Sequence, residues 1–248
     1  MLVSERGMEI NWRSEQGKRT RDNRDCGGVG VRADAVLCLL LDGSTSGPTS
    51  GDFARQIIRD VVDWYVATDE AATAECLSAQ LRRTHRSLSW RFPRDSASYV
   101  LVHIPNTGAA LVLHAGDCLL GSREQSGAVH WFTKPHTLAN PIGDVPFDEI
   151  ARSPARNRLT RSFRAREFIP AEVNKITAES GKSFVAATDG FWAELSVEDQ
   201  AVFLQGDDVA IAAEGDDRSA LQIRYLNEPG TKIQFVKDAA ANLYIKRS

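Results

Sequence analysis

Short apolar runs alternate with polar segments along the chain, and their spacing predicts both strands and helices. Residues 35–41 are apolar on both faces of an extended backbone and end at Asp42-Gly43, which predicts a buried central strand. Apolar residues recur at helical spacing over residues 52–67 and again over residues 70–88. This pattern predicts two adjacent amphipathic helices.

Further β-rich runs predict more strands, at residues 99–104, 109–114, 129–132, 184–188, 220–226 and 233–236. The first two flank Pro105-Asn106-Thr107-Gly108, which has the chemistry of a hairpin turn. Ser196 is a predicted N-cap for a helix that continues to Leu204. Strands in meanders with helices between them are typical of an α+β protein with layered sheets and outer helices. No repeat or linker divides the chain, so we predict a single domain over residues 1–248.

Composition and charge exclude several kinds of partner. The chain of 248 residues is 42% hydrophobic and 25% charged, as in soluble globular proteins. Its net charge of -3 lacks the basic excess of a nucleic-acid binder. No apolar run is long enough to cross a bilayer, and the N-terminus does not resemble a signal peptide. The four cysteines form no CxxC pair, which favours a reducing compartment. We expect a cytoplasmic protein without nucleic-acid or membrane partners.

Two separate apolar strands end in Asp-Gly, at Asp42-Gly43 and at Asp189-Gly190. A hairpin turn is the alternative interpretation, but no second strand follows directly at either place. A carboxylate at the end of a buried strand lies at the edge of the core, and glycine lets a backbone carbonyl approach a hard cation. Asp25 and Asp216 precede strands in the same way. The pattern therefore predicts a metal site built from strand ends.

The order of the motifs resembles that of the metal-dependent serine/threonine phosphatases of the PP2C (PPM) family, in their compact bacterial form. The resemblance covers about residues 14–226, and residues 227–248 are expected to be a C-terminal extension of strands on the same domain. The motifs are Gly17-Lys18-Arg19, Asn23-Arg24-Asp25, Leu41-Asp42-Gly43, Ser96-Ala97-Ser98, His114-Ala115-Gly116-Asp117, His136, Pro154-Ala155-Arg156-Asn157, Leu159-Thr160-Arg161, Thr188-Asp189-Gly190-Phe191-Trp192 and Asp216-Asp217-Arg218-Ser219.

The resemblance implies a fold and a metal centre. The fold is an α-β-β-α sandwich of two mainly antiparallel sheets flanked by helix pairs, with two Mg²⁺ or Mn²⁺ ions at one end. Asp42 is then expected to bridge the ions, the Gly43 carbonyl to bind one, and Asp189 and Asp216 to bind the other. Asp25 is expected to act through bound water. Hard cations prefer oxygen ligands, and they activate a water for attack on phosphorus.

Phosphate binding in the family depends on an arginine that the resemblance places at position 20, where this chain has Thr20. The neighbouring Arg19 and Arg21 are the candidates for this role, because the planar guanidinium group can bind two phosphate oxygens. An exposed arginine near a terminus is otherwise a solvated side chain. Arg161 is a further candidate for substrate binding.

Three other positions depart from the family pattern. Arg24 stands where many relatives carry Glu or Gln, which puts the affinity for one metal in doubt. Ser44 replaces a histidine that resembles a general acid in eukaryotic members. Pro135 stands where bacterial relatives carry an aspartate that contributes to a third metal, and it has no ligand to offer. We therefore expect no third ion near Pro135.

Two sets of side chains could have a purely structural role rather than a functional one. Six arginines in a short segment form either a solvated face or a docking surface for an acidic or phosphorylated segment: Arg152, Arg156, Arg158, Arg161, Arg164 and Arg166. The five histidines show no spacing typical of a metal site, and we interpret each as structural: His85, His103, His114, His130 and His136.

The sequence thus predicts a metal-dependent phosphatase that hydrolyses phosphoserine or phosphothreonine in proteins, with a cognate kinase as a further partner. The alternative is a pseudophosphatase that keeps the fold and binds phosphoproteins or a partner kinase, as Arg24, Ser44 and Pro135 suggest. A scaffold that uses the arginine segment is a third possibility. Retention of the four aspartates favours the enzyme.

Overall fold

The computed structural model describes residues 7–106, 108–124, 127–177, 183–212, 215–226, 230–235 and 241–248. The strands, in chain order, are β1 (Gly7–Glu15), β2 (Asp25–Val31), β3 (Ala35–Gly43), β4 (Ser96–Pro105), β5 (Ala110–Ala115), β6 (Leu119–Arg123), β7 (Val129–Trp131), β8 (Phe163–Arg164), β9 (Glu172–Ile176), β10 (Ser183–Ala187), β11 (Arg218–Leu226), β12 (Thr231–Phe235) and β13 (Leu243–Arg247). The helices are α1 (Ser50–Ala67), α2 (Ala74–Leu88), α3 (Phe147–Arg152), α4 (Asp189–Trp192) and α5 (Val197–Gln205).

The strands form two stacked sheets with mainly antiparallel pairing. The first sheet has the order β12-β1-β11-β10-β6-β7, and the second has the order β13-β2-β3-β4-β5-β9, with β8 beside β4. Strands β12 and β13 pair in parallel with β1 and β2 at the sheet edges. Strands β4 and β5 pair as predicted, although Thr107 of the predicted turn lies outside the described residues. The α+β sandwich predicted from the sequence is confirmed.

Strand β3 is buried on both faces, as its continuous apolar run predicts. Leu39 and Leu41 pack against the helices on one side of the second sheet. Cys38 and Leu40 face the first sheet across the interior of the sandwich. Because side chains alternate along a strand, β3 contributes to two apolar layers, and its end lies at the edge of both.

Helices α1 and α2 cover the second sheet, and the shorter α3, α4 and α5 pack on the first. Helix α2 begins at Ala74 rather than near residue 70, because the Thr73 hydroxyl accepts the Cys76 N–H at 3.2 Å. Ser196 caps α5 as predicted and accepts the Asp199 N–H at 3.1 Å. Within the described part of the chain, none of the helices combines the length and apolar composition that a bilayer span requires.

The strands that were not predicted from the sequence pattern are β1, β2, β6, β8 and β9. The clearest case is β2, whose sequence contains three glycines, a residue depleted in strands. Two of these glycines, Gly28 and Gly30, serve the packing of α1. A Cβ atom at Gly28 would lie 2.5 Å from Ile58 Cγ2, and one at Gly30 would lie 2.7 Å from Tyr65 Cδ1. Glycine at these two positions thus lets α1 approach the backbone of the strand closely.

Candidate active site

Strand ends and loops from both sheets surround an open cleft of about 340 Å³. Four aspartates line it: Asp42, Asp117, Asp189 and Asp216. Asp42 lies at the end of β3, Asp189 follows β10, and Asp216 precedes β11. Asp25 is the first residue of β2 and pairs with Asp42 in the antiparallel register. The structure therefore brings together the four aspartates expected at the metal site, namely Asp25, Asp42, Asp189 and Asp216.

Gly43 holds the end of β3 against the start of α1. A Cβ atom at this position would lie 2.5 Å from the Ser50 carbonyl oxygen, so any side chain would displace the helix. The Gly43 N–H donates a hydrogen bond to the Arg24 carbonyl at 3.2 Å. Glycine is required here by the close approach of two backbones, which also keeps Asp42 at the mouth of the cleft.

Burial and mutual repulsion disfavour the charged forms of these carboxyl groups. Burial raises the pKa of Asp42 well above its usual range, and the charges of Asp25 and Asp189 raise it further. Burial likewise raises the pKa of Asp189, with Asp117 and Asp216 adding to the effect. A bound cation would reverse both effects, because it supplies the positive charge that such a cluster lacks.

The oxygen atoms that line the cleft suit a hard divalent cation. The cleft offers carboxylate and hydroxyl oxygens, and neither histidine nor cysteine lines it among the described residues. The Thr188 hydroxyl donates to one oxygen of Asp25 at 2.9 Å. The other Asp25 oxygen is buried and has no hydrogen-bond partner among the described residues. An all-oxygen donor set with one unsatisfied carboxylate oxygen fits Mg²⁺ or Mn²⁺ and does not fit a soft metal.

Of the two candidate phosphate-binding arginines, Arg19 lines the cleft, whereas Arg21 is exposed and lies outside its lining. Arg19 Nη1 donates to Asp216 Oδ2 at 2.6 Å, and Nη2 donates to Glu194 Oε1 at 3.0 Å. Burial opposes the charge of Arg19, but the two carboxylates outweigh it and raise the arginine pKa. The geometry therefore favours Arg19 over Arg21.

The segment that carries Arg19 is held by Asp217. One oxygen of this carboxylate accepts the Gly17 N–H at 2.8 Å, and the other accepts the Arg24 N–H at 2.7 Å. Because these two residues flank the segment on both sides, its backbone is tied to the start of β11. The sequence could not show this contact, because Asp217 lies about 200 positions from Gly17.

Arg161, the further substrate-binding candidate, is not in the lining of the cleft. It lies near Tyr99 and His136 instead. Burial raises the pKa of Tyr99, and the charge of Arg161 opposes that effect. Burial lowers the pKa of His136, and Arg161 lowers it further. A direct phosphate contact from Arg161 is therefore not part of this arrangement.

Sequence reasoning missed the roles of Arg156 and Glu194. Arg156 is 9% exposed, and its Nη1 donates to Asp189 Oδ2 at 2.8 Å. Its Nη2 donates to Glu194 Oε1, also at 2.8 Å. Arg156 was noted as part of a family motif and of an arginine-rich segment but was given no role in the site, and no local signal marks Glu194. The contact orients one of the predicted metal ligands.

Asp117 is a further carboxylate of the cleft without an assigned role in the sequence analysis. It is 5% exposed and accepts a hydrogen bond from the Ser98 hydroxyl at 2.5 Å. Both residues belong to motifs of the family resemblance, which is the signal that could have identified them. Pro135 does not line the cleft, and the expectation of no third ion near it stays a prediction.

Arg24 binds the rim of the cleft. Its Nη1 donates to the carbonyl oxygens of Ser44 and Gly47, each at 2.8 Å, and of Thr45 at 3.2 Å. Ser44, Thr45 and Ser46 line the cleft beside Asp42. Arg24 therefore shapes the loop after β3. A glutamate could not do this, because an ionised carboxylate only accepts hydrogen bonds, and a glutamine offers only two N–H groups for three carbonyl oxygens.

The arginine-rich segment does not form one basic face. Arg156 is buried in the site, and Arg164 Nη2 donates to the Leu159 carbonyl at 2.8 Å. Arg152 pairs with Asp148 at 2.7 Å on α3. These side chains thus point to different surroundings, and neither a uniform solvated face nor a single docking surface describes them.

Two histidines that the sequence separates by more than twenty residues meet beside β9. The rings of His114 and His136 stack with centroids 4.5 Å apart, next to Glu172. The Gly116 N–H donates to His136 Nδ1 at 3.2 Å, and His136 Nε2 lies 3.1 Å from Glu172 Oε2. Because Nδ1 accepts, Nε2 carries the proton and donates to Glu172. This tautomer leaves His136 without a lone pair for a metal.

The fold is similar to that of solved bacterial serine/threonine phosphatases. The S. agalactiae serine/threonine phosphatase superimposes with a TM-score of 0.72 at 20% identity, over 88% of this chain and 99% of that chain. Stp1 from Staphylococcus aureus gives 0.73 at 13% identity, over 87% and 94%. These similarities confirm the resemblance inferred from the motifs.

A third solved structure is the catalytic domain of the serine/threonine phosphatase PstP in complex with two manganese ions. It superimposes with a TM-score of 0.67 at 16% identity, over 88% of this chain and 98% of that chain. No family model and no curated protein sequence matches the chain. At these identities, the structural similarity establishes the fold.

Proposed function

We propose that the protein is a metal-dependent phosphatase that hydrolyses phosphoserine or phosphothreonine in proteins. The observation that carries this proposal is the cleft at the strand ends. It places four carboxylates and the guanidinium of Arg19 around one open space. Carboxylates can hold cations, and a guanidinium can bind a phosphate, so the two halves of the chemistry lie side by side.

Two Mg²⁺ or Mn²⁺ ions are the proposed cofactors. Asp42, Asp189, Asp216 and the Gly43 carbonyl would hold them directly, and Asp25 would act through water. When bound, the ions supply an activated water as the nucleophile. The unsatisfied buried oxygen of Asp25 and the raised pKa values of Asp42 and Asp189 support cation binding. The manganese-bound PstP domain supports the number of ions by analogy of fold.

The protein's own side chains would bind and orient the phosphate. Arg19 lines the cleft, and its planar guanidinium can bind two phosphate oxygens. It would grip phosphate oxygens and so align phosphorus with the nucleophile. The rim loop that Arg24 holds would bound the other side of the substrate, where Ser44, Thr45 and Ser46 offer hydroxyl groups.

The proposed substrate is a phosphoprotein, and a cognate serine/threonine kinase is a proposed partner. We propose a cytoplasmic location, which the four free cysteines support, since three of them are buried thiols. The pseudophosphatase alternative has less support. Arg24, one of the departures that motivated it, binds the carbonyl oxygens of the rim loop. The presence of Asp42, Asp189 and Asp216 in the lining of the cleft favours the enzyme.

Hydrolysis assays test the proposal. Purified protein should release phosphate from para-nitrophenyl phosphate and from a phosphothreonine peptide in millimolar MnCl₂ or MgCl₂, and EDTA should abolish release. Asp189→Asn should remove turnover and leave the fold unchanged by circular dichroism. Binding of the phosphopeptide without any metal-dependent hydrolysis would instead identify a pseudophosphatase.

A further inference from the structure

Glu194 lies between the two arginines of the candidate site. It follows α4, and its side chain is 20% exposed. Oε1 accepts hydrogen bonds from Arg19 at 3.0 Å and from Arg156 at 2.8 Å. Oε2 accepts the backbone N–H of Asp216 at 2.9 Å. One carboxylate therefore joins three parts of the site that are far apart in the sequence.

Each arginine also binds a carboxylate that faces the cleft. Arg19 contacts Asp216, and Arg156 contacts Asp189. These aspartates are the proposed metal ligands, so a bound cation would compete with the arginines for their negative charge. Glu194 is not in the lining of the cleft and would keep its charge for the arginines. Glu194 would thus still hold Arg19 when metal is bound.

We propose that Glu194 is a positioning residue that orients Arg19 for binding a phosphate group in the cleft. This inference rests on the proposed function only in that the cleft binds phosphate. The energetic basis is a charge-assisted hydrogen bond between partly buried groups, the Arg19 side chain being 30% exposed. Without Glu194, the long Arg19 side chain regains rotamer freedom and must lose it again on each binding event.

A double-mutant cycle with inorganic phosphate as the probe tests the proposal. Phosphate is titrated calorimetrically into protein saturated with Mg²⁺, for the wild type, Glu194→Ala, Arg19→Ala and the double variant. We expect Glu194→Ala to weaken phosphate binding about 10-fold. In the Arg19→Ala background, the same change should alter affinity by less than about twofold, because the group that it positions is missing.

Glu198→Gln is the matched control, because Glu198 is an exposed carboxylate in the first turn of the neighbouring helix α5. It should leave phosphate affinity within about twofold. If Glu194→Ala impairs folding, Glu194→Gln decides. That variant keeps an oxygen acceptor but no charge, and it should weaken binding about threefold, since an uncharged hydrogen bond is roughly half as strong.

Equal weakening in both Arg19 backgrounds would overturn the proposal, because Glu194 would then act through Arg156 or the fold. Unchanged affinity of Glu194→Ala would also overturn it. Metal-dependent hydrolysis by the wild type is measured in parallel. A wild type that binds phosphate without turnover contradicts the proposed function alone, and a wild type that does not bind phosphate contradicts both.

Discussion

Asp42→Asn keeps the size of the side chain and removes its negative charge at the centre of the carboxylate cluster. Burial and the neighbouring charges of Asp25 and Asp189 raise the pKa of Asp42 in the metal-free protein. At neutral pH, the buried carboxylate is therefore a cost to the metal-free fold, and an amide is not. We predict that the metal-free variant is at least as stable as the wild type, whereas its response to metal is lost.

The size of the effect follows from the proposed role of Asp42 as a ligand to both ions. Breaking a buried charge pair by removing one partner costs about 3–5 kcal/mol, or roughly 150- to 5,000-fold in affinity. At about 100 times the dissociation constant, a cation stabilises the wild type by about 2.7 kcal/mol. For a chain of 248 residues, this raises Tm by about 5–11 °C. After a 150-fold loss of affinity, about 0.3 kcal/mol remains.

Differential scanning calorimetry in EDTA and in MnCl₂ measures both parts of this prediction. The wild type should show the manganese-induced rise in Tm, and Asp42→Asn should show almost none. Asp69→Asn is the control, since Asp69 is exposed in the loop between α1 and α2 and undergoes the same chemical change. A rise of wild-type size in Asp42→Asn would refute the assignment of Asp42 to the metal site. A metal-free variant several degrees less stable than wild type would refute the electrostatic argument.

Three further predictions concern phosphate binding, pH and backbone packing. In steady-state assays, Arg19→Ala should raise KM for para-nitrophenyl phosphate about 10-fold or more, and Arg21→Ala should leave KM within about twofold of the wild-type value. Equal effects of the two substitutions would contradict the placement of Arg19 in the cleft. The manganese-induced rise in Tm should grow as pH rises above the usual titration range of a carboxyl group. The protonated forms of Asp42 and Asp189 stabilise the metal-free fold, and this stability is lost as pH rises through their raised pKa values. Metal binding, in contrast, needs both carboxylates ionised. A manganese-induced rise in Tm that shrinks with increasing pH would disprove this reasoning. Gly43→Ala should lower Tm by about 2–12 °C, because the new Cβ atom would lie 2.5 Å from a carbonyl oxygen of α1. An unchanged Tm in calorimetry would show instead that the helix can shift freely.

Several features of this protein could be predicted from the sequence because they depend on local patterns. The run from Ala35 to Leu41 predicted a doubly buried strand, since both of its faces are apolar. The spacing of apolar residues predicted α1, and Ser196 predicted the start of α5. The aspartates at strand ends predicted an acidic site, because strands that end at one edge of a core bring their last side chains together.

Other features were decided by tertiary contacts alone. The choice between Arg19 and Arg21 depends on which side chain reaches Asp216 and Glu194, the latter 175 positions away in the chain. The glycines of β2 weaken its local signal for a strand, and the approach of α1 explains Gly28 and Gly30.

The bridging role of Glu194 left no trace in the local pattern for the same reason. Sequence patterns record whether a residue is buried and how the backbone turns. They do not record which distant charge a long side chain meets, because that depends on how the two sheets and their loops pack. In this protein, the strand ends place the carboxylates, and the packing of loops from distant segments places the arginines that act with them.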